Sequence, residues 1–382
     1  MLTLLKNAQL YAPEPRGLCH ILVADQRIAA IIDACYTLND TAFFDCVDLK
    51  GKRVIPGLVD PLVHYIGGGG EGGFANRTAE LSLEEAQASG VTTLIGALGT
   101  DALTRTPANL IGKARELAAG GLSCFAYTGS YQLPPTTLTG SVARDIVFIP
   151  EFIGVGEVAI SDHRGSQPTP QELIRLASEA RTAGILANKA GIVFIHTGDA
   201  PSGLAPLRDA AAQSAIPLGQ FYPTHINRTE ALYADGLRFV QEGGRIDFTT
   251  STTSELLEAG EVPAAKAVAM AHAAGIDMHR VSLSSDANAS LPQFDEQGQF
   301  VGLRPGRIGS LFEAMADCIE THAVPVETAL RCASTNAADA LQLKGKGRII
   351  EGGDADFIVI NDQTWSIDQV WARGRQRYTA AH

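Results

Sequence analysis

Hydrophobic and polar residues alternate at both ends of the chain. At the N-terminal end the alternation covers LTLLKNAQLY, GLCHILVADQRIAAII and FDCVDLKGKRVIPG, and at the C-terminal end it covers KGKGRIIEGGDADFIVINDQTWSIDQVWARGRQRY. A period of two residues, interrupted by turn residues, is typical of short antiparallel strands. We therefore predict one small β-sandwich domain built from both termini, residues 1–55 and 344–382.

The middle of the chain has a different pattern, in which short apolar runs alternate with segments of helical spacing. The eight apolar runs are GLVDPLVHY, GVTTLIGALG, LSCFAYTGSY, FIGVGEVAISD, GIVFIHTGD, FYPTHI, RIDFTTS and RVSLSSDA. Helical spacing is clearest in PQELIRLASEARTAGILANKAG and SELLEAGEVPAAKAVAMAHAAG. Strands that alternate with helices predict an α/β fold, here a (β/α)8 TIM barrel over residues 56–343.

Composition and charge narrow the classes of protein to consider. A chain of 382 residues with 45% hydrophobic residues has enough apolar material for a barrel and a smaller domain. Its net charge of −12, without basic runs, argues against binding to nucleic acid or to an anionic membrane. The chain has six cysteines without a CxxC pair, no signal-peptide pattern and no apolar run long enough to span a bilayer. These features predict a cytoplasmic protein.

Ionisable residues follow several of the apolar runs. If these runs are barrel strands, the residues lie at the carboxyl ends of the strands, where barrel active sites are found. Three imidazoles and two carboxylates there would form a transition-metal site, with nitrogen and oxygen ligands suited to zinc. Taken one at a time they are weak indicators, because a loop histidine is more often a hydrogen-bonded structural residue and a lone aspartate can cap a helix. Their shared placement makes them candidate ligands: His64, Glu157, His196, His225 and Asp286.

Seven motifs keep one order along nearly the whole chain. They are HYIGGGGEGG (64–73), LGTD (98–101), SYQLPPTTLTGSV (130–142), AISDHR (159–164), FIHTGD (194–199), PTHINR (223–228) and SSDANAS (284–290). On these motifs the chain resembles the amidohydrolase superfamily and, within it, the β-aspartyl (isoaspartyl) dipeptidases. The resemblance implies the same barrel with a split β-sandwich, and it implies a homo-oligomer.

The metal site implied by the resemblance is changed at two positions. The family has HxH at the end of the first strand and a carboxylated lysine that bridges two zinc ions. Here Leu62 stands at the first histidine, His64 at the second, and Glu157 at the lysine. Leucine cannot bind a metal, and a glutamate is shorter than a carboxylated lysine although it keeps the negative charge.

We therefore expect one zinc ion per chain. Its ligands would be Glu157, His196 and His225, which is the three-ligand count of an open catalytic zinc site. His64 and Asp286 would lie beside the metal, and their role as additional ligands is left open, as is a second, weakly bound ion. The resemblance also implies that Asp286 moves the proton of the attacking water and that Tyr131 hydrogen-bonds the oxyanion.

The substrate-binding positions of the family are retained. Glu71, after a run of four glycines, matches the residue that binds the substrate's ammonium group, and Arg164 and Arg228 match two carboxylate-binding arginines. Guanidinium groups bind carboxylates in a bidentate manner, which explains arginine at these positions. Thr100 and Ser290 match further polar contacts.

The function implied is metal-dependent hydrolysis of β-aspartyl dipeptides by a metal-activated water, with a small dipeptide-like molecule as partner. Two alternatives stay open from the sequence. One is a deacetylase or N-acyl-amino-acid amidohydrolase, whose altered metal site accompanies a different specificity. The other is an inactive homologue that binds a ligand or acts as a scaffold.

Overall fold

The computed structural model describes residues 2–36, 45–295, 297, 299–361 and 364–381. The strands are β1 Leu2–Tyr11, β2 Pro15–Ala24, β3 Arg27–Asp33, β4 Asp45–Asp48, β5 Arg53–Pro56, β6 Leu58–Val63, β7 Val91–Gly96, β8 Ser123–Thr128, β9 Phe152–Ile160, β10 Ile192–Thr197, β11 Phe221–Thr224, β12 Ile246–Thr249, β13 Val281–Ser284, β14 Ser290–Phe294, β15 Phe300–Pro305, β16 Phe357–Ile360, β17 Ile367–Ala372 and β18 Arg375–Thr379. The α-helices are α1 Leu83–Ala88, α2 Pro107–Ala119, α3 Val142–Phe148, α4 Pro170–Ala187, α5 Ala205–Ala212, α6 Glu230–Gln241, α7 Ser254–Glu258, α8 Ala264–Ala273, α9 Ser310–Glu320, α10 Val326–Leu330 and α11 Asn336–Ala340. A π-helical turn, Arg331–Thr335, lies between α10 and α11.

Strands β6 to β13 form the barrel. The first six of them pair in parallel in chain order, and β12 pairs in parallel with β13. A parallel bridge between Val63 and Ala287 joins the end of the last barrel strand to the first, while β12 lies against β11. These eight strands and their helices confirm the predicted α/β TIM barrel.

The barrel strands are short apolar runs because both of their faces are covered. Every residue of β6, β7, β9 and β10 is buried. Parallel strands in such barrels contact side chains of the barrel interior on one face and helices on the other, so that alternation with polar residues is lost. No described helix is long and apolar enough to cross a membrane.

Local signals fix the helices between the strands. Helix α4 begins after Thr169, whose side chain accepts from the backbone N–H of Glu172 in a capping box. The second segment of helical spacing is not one helix but two, α7 and α8. A left-handed Gly260 and Pro263 separate them, because neither residue favours the interior of a helix.

The terminal strands form a separate sheet, as the alternating pattern predicts. Its order is β18-β17-β16-β5-β1-β2-β3, and β4 pairs with β1. One face covers its own apolar core, which includes Leu10, Val54, Phe357 and Trp371. The boundaries 1–55 and 344–382 stay a prediction, and residues 1, 37–44, 362, 363 and 382 within them lie outside the described residues.

The loops after the barrel strands carry the chemically active side chains. The carboxyl ends of parallel strands meet at one end of the barrel, so that residues distant in sequence converge there. The β14–β15 hairpin adds Ser290, Pro292 and Leu303 to the wall of the cavity at this end.

Candidate active site

Glu157, His196 and His225 form one buried group at the mouth of the barrel. Glu157 lies on β9, His196 on β10, and His225 directly follows β11. One carboxylate oxygen, Glu157 Oε1, is 3.0 Å from His196 Nδ1 and 3.1 Å from His225 Nε2. The ligand atoms of the three residues lie within 4.8 Å of one another, a spacing at which they could hold one metal ion.

Hydrogen bonds on the far side of each ring orient both histidines. His196 Nε2 is 2.9 Å from Asp162 Oδ2, and His225 Nδ1 is 2.5 Å from Thr249 Oγ1. A ligating imidazole commonly has such a partner on its other nitrogen, which fixes the tautomer and the ring orientation. Burial, with the positive charge of Arg228, lowers the pKa of His225 to about 4. His225 is therefore neutral near pH 7, as a metal ligand must be.

Glu157 is ionised in spite of its complete burial. Burial acts to raise its pKa, but hydrogen bonds from His196 and His225 outweigh that effect and hold the pKa below its usual range. Its second oxygen, Oε2, has no hydrogen-bond partner among the described residues. A buried carboxylate with an oxygen left unpaired is costly unless a cation compensates it, so that this group fits a metal.

His64 and Asp286 lie beside this group. His64 Nε2 is 3.2 Å from Asp286 Oδ1 and 3.5 Å from Glu157 Oε2. Burial acts to raise the pKa of Asp286, but other interactions outweigh burial and hold the pKa below its usual value. The largest of these is the hydrogen bond with His64. Both Asp286 and His225 have positive φ angles, 52° and 64°, in a region that non-glycine residues rarely adopt. Such backbone conformations concentrate at functional sites.

Leu62 does not take part in this site. Its side chain is fully buried in an apolar cluster with Val59, Ile95 and Tyr127, inside the barrel. The backbone carbonyl of Leu62 accepts a hydrogen bond of 3.1 Å from the N–H of Asp286. The position where the resembling family has a histidine ligand is therefore part of the hydrophobic core.

Tyr131 reaches the same group from the loop after β8. Its hydroxyl is 2.7 Å from His196 Nδ1, the atom that faces Glu157. Burial raises the pKa of Tyr131 well above its usual value. The phenol therefore keeps its proton and can act as a hydrogen-bond donor.

The substrate-binding candidates line one cavity of about 590 Å³ together with His64, His196 and Asp286. Thr100 Oγ1 donates a hydrogen bond of 2.7 Å to Glu71 Oε1, and Ser290 Oγ donates one of 3.5 Å to Oε2. Arg164 Nη1 is 3.5 Å from Glu71 Oε1. Arg228 lines the same cavity.

Two partners of the histidines are not among the sequence-predicted site residues. Asp162 belongs to the AISDHR motif, in which the resemblance gives a role to the arginine alone, and its place in that motif is the sequence signal that points to it. Thr249 ends the apolar run of β12 and carries no comparable motif. Which nitrogen of His225 it contacts depends on three-dimensional placement.

Comparison with known proteins identifies the family. Residues 53–377 match the model of the amidohydrolase family. The chain belongs to the amidohydrolase family. It is therefore a hydrolase, as the motifs imply, and its barrel and terminal sheet are those of the family.

Two solved structures of a β-aspartyl dipeptidase from Fervidobacterium islandicum AW-1 are very similar to this chain. One, in complex with the dipeptide β-Asp-Leu, shares 39% sequence identity with a TM-score of 0.90, and the match covers 98% of this chain and 96% of that one. The other shares 36% identity with a TM-score of 0.89, over 100% and 99% of the two chains. These matches confirm the resemblance to β-aspartyl dipeptidases.

A dihydroorotase from Halobacterium salinarum is a more distant relative. It is 24% identical over 397 residues, which cover 89% of this chain and 85% of that protein. This chain is therefore similar to a protein with another named activity, and the choice between activities depends on the side chains of the site.

Proposed function

We propose that this chain hydrolyses the amide bond of β-aspartyl (isoaspartyl) dipeptides. The observation that carries the proposal is the convergence of two sets of side chains in one cavity. The Glu157, His196 and His225 group supports binding of a metal, and Glu71 with Thr100 and Ser290 supports binding of a primary ammonium group. The similarity to a β-aspartyl dipeptidase over nearly the whole chain supports the same conclusion.

The metal of the proposal is a single zinc ion held by Glu157, His196 and His225. Two imidazoles and a carboxylate suit zinc, and three protein ligands are the number of a catalytic site. When bound, zinc would supply Lewis acidity and lower the pKa of water toward neutrality. Support for one ion comes from Leu62, whose side chain belongs to the apolar core and offers no donor atom.

In this proposal the chain's own residues bind and orient the substrate and move its protons. The Asp286 carboxylate takes the proton of the attacking water and passes it to the leaving nitrogen. The Tyr131 hydroxyl donates a hydrogen bond to the carbonyl oxygen as negative charge develops on it. Both side chains are buried, where such interactions are stronger than in water.

At the other end of the substrate, Glu71 pairs with the ammonium group, while Arg164 and Arg228 pair with the two carboxylates. A cavity with one carboxylate and two guanidinium groups complements a zwitterion that has two free carboxylates. A β-aspartyl dipeptide is such a molecule. A cytoplasmic location and a homo-oligomer remain part of the proposal, and both rest on the sequence alone.

The test compares three kinds of substrate with the zinc-loaded enzyme. We expect turnover of β-Asp-Leu, little turnover of α-Asp-Leu and little turnover of N-acetyl amino acids. The reason is that acetylation removes the ammonium group and the α-linkage moves one carboxylate. Turnover of the acetylated compounds alone would replace the proposal with an N-acyl-amino-acid amidohydrolase, and no turnover of any of them would favour a binding or scaffold protein.

A further inference from the structure

Asp162 contacts both halves of the candidate active site. Its Oδ2 is 2.9 Å from Nε2 of His196 and 2.6 Å from Nη2 of Arg164. Its Oδ1 accepts two more hydrogen bonds from Arg164, one of 3.0 Å from Nε and one of 2.8 Å from the backbone N–H. The residue is 7% exposed. One buried carboxylate therefore serves a candidate metal ligand and a candidate substrate-binding group.

The geometry of these contacts assigns the two ring nitrogens of His196 different roles. Both oxygens of Asp162 accept from Arg164, which can only donate, so that the proton shared with His196 belongs to His196 Nε2. Nδ1 is the nitrogen that faces Glu157 Oε1, at 3.0 Å, and a metal bound by the two residues would take the lone pair of Nδ1.

The backbone around Asp162 is also fixed. Its carbonyl accepts a hydrogen bond of 2.7 Å from Gln167 Nε2, and the preceding residue, Ser161, has a φ of 54° with its hydroxyl 2.7 Å from Ser202 Oγ. Gly198, which follows β10, packs directly against Asp162. A Cβ atom at Gly198 would lie 2.7 Å from the Cβ of Asp162, a distance that real contacts do not reach. The position of the carboxylate is thus set by its own loop and by the neighbouring strand.

We propose that Asp162 is a positioning residue that aligns the metal site and the substrate site through one carboxylate. It holds His196 in the ring orientation and tautomer that a metal needs, and it holds the guanidinium of Arg164 toward the cavity. The inference rests on the proposed function for the identity of the two partners. Because the metal site and the substrate site both depend on the Asp162 carboxylate, one substitution should weaken both.

Asp162→Asn is the substitution that tests this sharing. Asparagine has the same size but only one acceptor oxygen, and its NH₂ group can only donate, so that the four hydrogen bonds that Asp162 accepts from His196 and Arg164 cannot all persist and a donor is forced against a donor. Loss of a hydrogen-bond partner behind a ligating histidine typically weakens metal binding 10- to 100-fold. We expect the dissociation constant for Zn²⁺, measured by competition with a chromogenic chelator, to rise by about 10- to 100-fold. At saturating zinc we also expect a higher KM for β-Asp-Leu.

Two further variants separate the two roles. Arg164→Gln removes the guanidinium but leaves Asp162 on His196, so that KM should rise while zinc affinity stays within about threefold. Asp235→Asn is a matched control, because Asp235 accepts from Arg208 and from a backbone N–H and contacts none of the histidines that the structure describes. Its zinc affinity and kinetics should equal those of the wild type.

The outcomes are distinguishable from those of the proposed function. Unchanged zinc affinity in folded Asp162→Asn overturns the inference, whatever the enzyme hydrolyses. A weakened zinc site in Asp162→Asn, with no hydrolysis of β-Asp-Leu by the wild type, overturns the proposed function but agrees with the role of Asp162 in holding His196. If Asp162→Asn does not fold, Asp162→Ser, which is smaller, takes its place with the same expectation and the same refuting result.

Discussion

Glu71→Gln changes the charge of the proposed ammonium site while the size of the side chain is kept. The two oxygens of Glu71 accept hydrogen bonds of 2.7 Å from Thr100 and of 3.5 Å from Ser290. A glutamine amide can still accept from Thr100 through its oxygen and donate to Ser290 through its NH₂ group. The local structure can therefore persist, and the substitution measures the charge.

The size of the effect follows from the strength of a hydrogen bond between charged groups. Such bonds contribute about 1.5–3 kcal/mol, which corresponds to about 10- to 150-fold in binding at 1.4 kcal/mol per factor of ten. The side chain of Glu71 is 27% exposed, so that water screens part of the interaction and the lower part of the range applies. We expect KM for β-Asp-Leu to rise by about 10- to 50-fold with little change in kcat, because the contact is made equally in the ground state and the transition state.

The assay measures initial rates with β-Asp-Leu and with its N-acetyl derivative, for the wild type and the variant at saturating zinc. The wild type should discriminate strongly against the acetylated compound, and Glu71→Gln should lose most of that discrimination. Glu84→Gln on α1, which is exposed and outside the cavity, is the matched control and should behave as the wild type. A KM for β-Asp-Leu within about twofold of the wild-type value would refute the assignment of Glu71.

Three other substitutions test separate parts of the account. Arg228→Met should raise KM for β-Asp-Leu by about 10-fold or more, with partial rescue by Arg228→Lys, and an unchanged KM would remove Arg228 from the site. Leu62→Ala should lower the free energy of unfolding by about 2–5 kcal/mol and leave the metal content unchanged, because Leu62 is a core residue. A loss of metal would contradict this expectation. Leu18→Ala, at an exposed position, is the control. Burial raises the pKa of the Asp60 carboxyl group to about 7, so that the folded state keeps this proton to a higher pH than the unfolded state does. The free energy of unfolding should therefore fall by up to about 4 kcal/mol as the pH rises from about 4 to about 7. Asp60→Asn should remove that part of the pH dependence in denaturant titrations, and an identical slope in the variant would exclude a raised pKa.

The barrel could be predicted from the sequence because its strands are apolar on both faces. Runs such as those of β7 and β10 contrast with the alternating strands of the terminal sheet, and each pattern follows from which faces are covered. The division of one helical segment into α7 and α8 was also marked by residues, Gly260 and Pro263. A glycine within a helical pattern is often tolerated, however, so that such a break is hard to predict.

The five ionisable candidates of the site could be predicted because strand ends converge in a barrel. His64, Glu157, His196, His225 and Asp286 lie on or just after different strands, yet they come together at one buried site. Chain order alone determines this convergence once the fold is known.

The supporting contacts could not be predicted in the same way. Asp162 and Thr249 each contact the nitrogen of a histidine that faces away from the candidate metal position. That choice depends on ring orientation, which sequence spacing does not determine. The place of Leu62 in an apolar cluster likewise depends on neighbours from other strands, such as Tyr127 and Phe194.

We propose that one metal ion binds at Glu157, His196 and His225 and that the second metal position of the resembling family is lost. The decisive measurement is metal analysis of the chain purified without added metal. We predict about one zinc ion per chain, lost together with hydrolysis of β-Asp-Leu in Glu157→Ala. Two tightly bound ions per chain would contradict the account.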